Sequence, residues 1–130
     1  MRIAAAGAVV FDEHGRLLLI QRSKPPAALH WSVPGGKCEP DEDAEAACVR
    51  EVAEETGLVV EVIRWVGRVY RPAPVGEYVI DDFLCRVVGG ALCAGDDAAD
   101  AGWFNLAELT RLPLTTGLLQ ALDDWSLLPE

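Results

Sequence analysis

Three glutamates, Glu51, Glu54 and Glu55, stand at relative positions i, i+3 and i+4 in the stretch GGKCEPDEDAEAACVREVAEETGL, residues 35–58. At about 100° per residue they fall within an arc of roughly 100° on one face of a helix. The same arc holds Ala44, Ala47 and Cys48, small side chains through which a helix can approach a sheet, while Ala46 and Ala53 lie on the other side. The carboxylates therefore point partly inward. Like charges so close together disfavour one another, and burial adds a desolvation cost. Arg50 can pair with Glu54 at i, i+4, but one guanidinium does not neutralise three carboxylates. A hard divalent cation does, because Mg²⁺ or Mn²⁺ prefers oxygen ligands and keeps waters that a phosphate can share. The alternative is a solvated acidic face on a surface helix.

The elements that must position this face can be read from both sides of it. The pattern predicts a helix over residues 43–56, with Asp41 or Asp43 as N-cap and Gly57 at the C′ position. Residues 3–11 and 16–22 are apolar, β-prone runs separated by a Gly-containing turn and read as a hairpin. SKPPAALH is a Pro-interrupted loop. Residues 58–71 and 78–88, rich in Val, Ile, Trp and Tyr, read as long strands joined by the loop PAPVGE. GWF reads as a short strand, and NLAELTRL with TTGLLQALDDW as one or two terminal helices. Irregularly interleaved strands and helices predict an α/β layered sandwich with helices packed outside a mixed sheet.

The chain has 130 residues, which fits one domain over 1–130. A net charge of −10 argues against gripping a nucleic-acid polymer, since that rests on neutralising phosphates with Lys and Arg. The opening MRIAAAGAVVF reads as a strand rather than a signal peptide, and no stretch reaches the roughly 20 apolar residues of a membrane span. Cys38, Cys48, Cys85 and Cys93 show no metal spacing and read as free thiols or small hydrophobes, consistent with a reducing cytoplasm.

Gly36, five residues, Glu42, seven residues, then Arg50, Glu51, Val52, one residue, Glu54, Glu55, one residue, Gly57 and Leu58 match the Nudix box at every specified position. The chain thus resembles the Nudix (MutT-like) hydrolases, from about residue 3 to residue 122. The resemblance implies the Nudix fold, an α/β/α sandwich with a mixed central sheet, and hydrolysis of a nucleoside diphosphate linked to another moiety. It also implies that Glu51, Glu54 and Glu55 hold divalent metal with help from a Gly35 or Gly36 carbonyl, and that Arg50 orients the glutamates. The chemistry agrees, because cleaving a pyrophosphate asks for charge neutralisation on the phosphate oxygens, a positioned water and a base.

GEYVIDDFLCRVVGG, AGDDAADAGWF and LPLT resemble the short ADP-ribose pyrophosphatase-like branch, as does a proline after the box, Pro72 or Pro74. ADP-ribose, giving AMP and ribose 5-phosphate, is therefore the first expected substrate. The alternative is a nucleoside triphosphate, including oxidised nucleotides, with release of pyrophosphate. A non-catalytic nucleotide sensor is the third reading, and that class usually loses a box carboxylate, whereas this chain keeps all three. Candidate substrate contacts are Arg22, Arg68, and the loop acids Asp96 and Asp97, with Asp100 beside them; Arg64 and Tyr70 share the strand face of Arg68, and Arg71 lies opposite. Trp31, Tyr70 and Tyr78 are either core residues or surfaces for an adenine. His14 and His30 are isolated and receive no role. The apolar fraction permits a homodimer, and no stretch marks an interface.

Overall fold

The computed structural model describes residues 1–25, 27–95 and 98–130. Strands β1 (Arg2–Phe11), β2 (Leu17–Arg22), β3 (Trp31–Ser32) and β4 (Gly35–Lys37) precede helix α1 (Ala44–Thr56). Strands β5 (Leu58–Pro72), β6 (Glu77–Gly90) and β7 (Ala98–Phe104) follow, and α2 (Leu106–Leu109) and α3 (Leu118–Asp124) close the described order. The described strands share one sheet of order β3-β2-β1-β6-β5, with β4 paired to β1 and β7 to β2. It is mixed, since β1 and β6 run parallel while β5 and β6 form the long antiparallel hairpin.

Alternation along the strands sorts side chains into two cores. On one face Ala6, Ala8, Val10, Leu18, Phe83 and Cys85 pack against Ala47, Cys48 and Val52 of α1. On the other, Val9, Leu17 and Leu19 pack with Trp31, Leu109, Leu118 and Leu122 beneath α2 and α3. Helices therefore cover both faces of the sheet. Val52 is fully buried, and placing such a side chain out of water contributes about 1.5–3 kcal/mol to holding α1 in place.

The ends of α1 are fixed by local chemistry. Asp43 is the N-cap and accepts from the Ala46 amide at 2.8 Å. At the other end Gly57 adopts φ 74° and returns its N–H to Ala53 O at 3.0 Å. A Cβ there would also stand 2.7 Å from Ala91 O, so both conformation and space call for glycine.

Two strand expectations need correction. The first hairpin opens after a single register pair, Phe11 with Leu17. Strand β2 then turns its ladder to β7 and β3, and β1 gives the vacated edge to β4. The segment before α1, which the sequence pattern leaves unassigned, is accordingly strand at Trp31–Ser32 and Gly35–Lys37. β7 also extends back to Ala98, beyond the expected GWF. The opening residues form β1, whose centre from Ala5 to Val10 is buried in the middle of the sheet. Among the described residues no helix is long and apolar enough to cross a membrane. The four cysteines are free, with Cys48 and Cys85 buried.

Candidate active site

Helix α1 and strand β4 meet at the mouth of a cleft of about 730 Å³. Glu51, Glu54 and Glu55 line it together with Gly35 and Gly36. Gly36 lies directly against Glu51: a Cβ on it would lie 2.6 Å from the Glu51 carboxyl carbon and would push that side chain aside. Glu55 reaches over the same strand, and its Oε1 accepts from the Gly35 amide at 2.8 Å. The glycines thus let α1 bring two carboxylates directly onto the backbone of β4.

Arg50 organises the rest. Its Nε and one terminal nitrogen donate to both oxygens of Glu42, at 2.8 and 2.9 Å. The other terminal nitrogen donates to Glu51 at 3.0 Å and to Glu54 at 3.2 Å, and the carbonyl of Lys37 accepts at 3.1 Å. Those contacts occupy the five N–H donors of the guanidinium. Arg50 therefore does more than the i, i+4 pair with Glu54: it ties the loop before α1, β4 and two of the three glutamates into one network. Its hydrogen bonds hold the Glu42 carboxyl down at about 2, with the Glu39 amide assisting.

The glutamates on the cleft side respond oppositely. Burial pushes Glu51 above the usual carboxylate range, with Arg50 opposing and Glu54 and Glu42 adding repulsion. Glu55 is pushed up to about 8, mainly by burial; the Gly35 amide opposes, Glu51 repels, Arg22 attracts and Glu54 repels. Among the described residues no three acidic, His or Cys side chains converge at ligating distance. Glu51 and Glu54 are turned to Arg50, and Glu55 to the Gly35 amide. The donor set nonetheless suits a hard divalent cation, being all oxygen, closely spaced and short of positive charge on the cleft side.

Other sequence candidates separate. Arg22 lines the cleft and its charge acts on Glu55. Arg68 does not line it: Arg68 pairs with Asp81 at 3.0 Å on the opposite sheet face. Alternation gives the cleft to Arg71 instead, together with Val69, Pro72 and Tyr78. Trp31 is core, edge-on to Phe104 at 5.0 Å, and Tyr70 is exposed beneath Arg2. Lys37 Nζ stands 6.0 Å from the Tyr78 ring, on the cleft wall. Asp96 and Asp97 lie outside the described residues, and Asp100 is an exposed residue of β7. Asp82 was not singled out by sequence. It is buried in β6 and lines the cleft, and its only sequence signal is a carboxylate within the apolar run YVIDDFLC.

A family model described as NUDIX domain matches residues 1–125. The chain belongs to the Nudix hydrolase family. Its α/β architecture is the Nudix fold, and a crystal structure of a MutT NUDIX hydrolase from Burkholderia pseudomallei superposes with a TM-score of 0.84 at 30% identity, over 95% of this chain and 97% of that one. The ADP-ribose pyrophosphatase of Methanocaldococcus jannaschii is 38% identical over 105 residues, which is 79% of this Nudix chain and 62% of the relative. A Bacillus subtilis protein provisionally named 8-oxo-dGTP diphosphatase is 34% identical over 115 residues, 88% of this chain and 72% of the relative. The Nudix chain thus spans somewhat under two thirds of the archaeal relative's length. Nudix hydrolases generally use divalent metal ions.

Proposed function

We propose that this chain hydrolyses the pyrophosphate bond of a nucleoside diphosphate joined to a second group, with ADP-ribose, giving AMP and ribose 5-phosphate, as its first substrate. The observation that carries the reading is the gathering of Glu51, Glu54 and Glu55 over Gly35–Gly36 at the mouth of the cleft. In this reading the three carboxylates and the Gly36 carbonyl hold Mg²⁺ or Mn²⁺. A cation held there would supply charge neutralisation at the phosphate oxygens and a water of lowered pKa. Arg50 keeps Glu51 and Glu54 aimed, through contacts that its own side chain already makes in the resting protein. Glu55, held protonated by burial, would have to release its proton to act as a ligand, so a cation would be held more tightly as pH rises. Arg22, Lys24 and Arg71, which line the cleft, supply positive charge toward the phosphates in a protein whose net charge is −10.

The preference for ADP-ribose rests on the archaeal relative's name and on Pro72 at the cleft wall. The Bacillus relative favours the second reading, a triphosphate cut with release of pyrophosphate. A nucleotide panel incubated with Mg²⁺ separates them, with products resolved by chromatography. AMP with ribose 5-phosphate supports the first reading, and inorganic pyrophosphate from a triphosphate, formed at least tenfold faster, overturns it. A cytoplasmic location and action without a nucleic-acid or membrane partner fit the free thiols and the acidic surface.

A further inference from the structure

Asp82 is a buried carboxylate with one oxygen left unpaired among the described residues. Only 3% of its surface is exposed, and its Oδ2 has no hydrogen-bond partner among the described residues. Buried carboxylates normally have partners, because an unpaired one forfeits its hydration. The side chain lines the cleft, on the sheet face opposite α1.

The partners of Asp82 across the sheet are glycines. Gly35 pairs with Gly7, Gly7 pairs with Asp82, and Asp82 pairs with Gly67, so one row across β4, β1, β6 and β5 carries a single side chain. A Cβ on Gly7 would collide with Asp82 Oδ1. A Cβ on Gly67 would collide with Nε1 of Trp125, which closes that end of the row and lines the cleft. Glycine at these positions therefore makes room for the two groups that lie over the row, the Asp82 carboxyl on Gly7 and the Trp125 indole on Gly67. The other end is Gly35, whose amide holds Glu55. Two strand spacings separate Gly35 from Asp82, roughly 10 Å. That span exceeds the step from a 5′-phosphate to its ribose and matches the reach across the ribose to the base.

Resting on the hydrolase reading above, we propose that Asp82 recognises the nucleobase of the substrate, its carboxyl accepting an N–H from the amino-bearing edge of a purine that enters the cleft between Gly35 and Trp125. The orphaned Oδ2 gains the partner it lacks, and a base without that donor leaves it unsatisfied. Sites built around such a group reject the ligand that cannot pair with it. Burial also raises the Asp82 pKa to about 7, with Arg71 opposing and Asp81 reinforcing, so near neutrality the carboxyl can serve as donor as well as acceptor. Adenine and guanine both present an N–H on that edge, and they differ in the neighbouring ring nitrogen.

The test uses nucleoside monophosphates in Mg²⁺ by calorimetry: AMP, GMP and purine riboside 5′-monophosphate, which lacks the exocyclic group. None contains an anhydride bond, so the outcome does not depend on which anhydride the enzyme cuts; the product assay above decides that separately. The tighter of AMP and GMP is expected to bind the wild type about tenfold or more better than purine riboside monophosphate. Asp82→Val should bring that ratio within about twofold while leaving purine riboside monophosphate unchanged. Asp82→Asn keeps the shape but replaces one oxygen by an amino donor, and it should lower the ratio at least about threefold, which keeps the test open if the valine variant does not fold. The proposal is overturned if the wild type binds all three alike or binds none. Equal weakening of all three by the substitutions also overturns it, since that would place the carboxyl on the ribose or in a structural role.

Discussion

Replacing Glu55 by Gln is expected to stabilise the metal-free protein at high pH and to leave it unchanged at low pH. Folding lifts this carboxyl from 4.5 to about 8, so between those values the folded state holds a proton that the unfolded state has released. Stability then falls as pH rises through that window. At about 1.4 kcal/mol per pKa unit, complete ionisation withdraws at most about 5 kcal/mol. Glu55 is only partly buried and lines the cleft, so its charge is partly screened, and about 2 kcal/mol is the expected share recovered by Gln at pH 9. The amide oxygen of Gln can still accept from the Gly35 N–H, so no hydrogen bond is lost. With a urea dependence of about 1–3 kcal/mol per molar, the midpoint should rise by about 1 M at pH 9 and by much less at pH 5. Urea titrations in EDTA at the two pH values provide the measurement. Because Asp82 titrates in both proteins, the difference between them isolates Glu55. A lower midpoint for the variant at pH 9, or an equal gain at both pH values, would refute the desolvation argument.

Three further outcomes follow from the same geometry. EDTA should abolish hydrolysis, and Mg²⁺ or Mn²⁺ should restore it; undiminished turnover in EDTA would remove the metal from the account. Gly36→Ala drives a methyl against the Glu51 carboxyl and should lower kcat by about tenfold to a hundredfold, with less than about 1 kcal/mol of destabilisation in a thermal melt, because a flexible side chain gives way. Arg50→Lys cannot reproduce the two-pronged contact with Glu42 while also reaching Glu51 and Glu54; kcat should fall at least about tenfold, and circular dichroism should show the fold retained.

Helix α1 was legible because its signals are local: Asp43 caps one end, Gly57 ends the other, and the carboxylate spacing marks a face. The long β5–β6 hairpin was legible from its β-branched and aromatic content. Strand β4 was not, since Gly35, Gly36 and Lys37 have little preference for strand and are held by the edge that β1 leaves open. Alternation correctly put Arg68 and Arg71 on opposite faces of β5, but only the packing of α3 shows that the cleft is on the Arg71 side. The reach of Arg50 to Glu42 and the Lys37 carbonyl depends on the path of the loop between β4 and α1, which no periodicity encodes. Asp82 escaped for a related reason: its meaning lies in the glycines beside it, and those come from three other strands.

The most direct measurement is kcat/KM for ADP-ribose in Mg²⁺, taken side by side for the wild type and Glu54→Gln. Glu54 is the most exposed of the three glutamates, with 45% of its side chain open to solvent, so its loss should spare the fold while removing a ligand or the group that handles the attacking water. The account predicts AMP and ribose 5-phosphate from the wild type and a fall of at least about a hundredfold in the variant. Full turnover by a folded Glu54→Gln protein would contradict it.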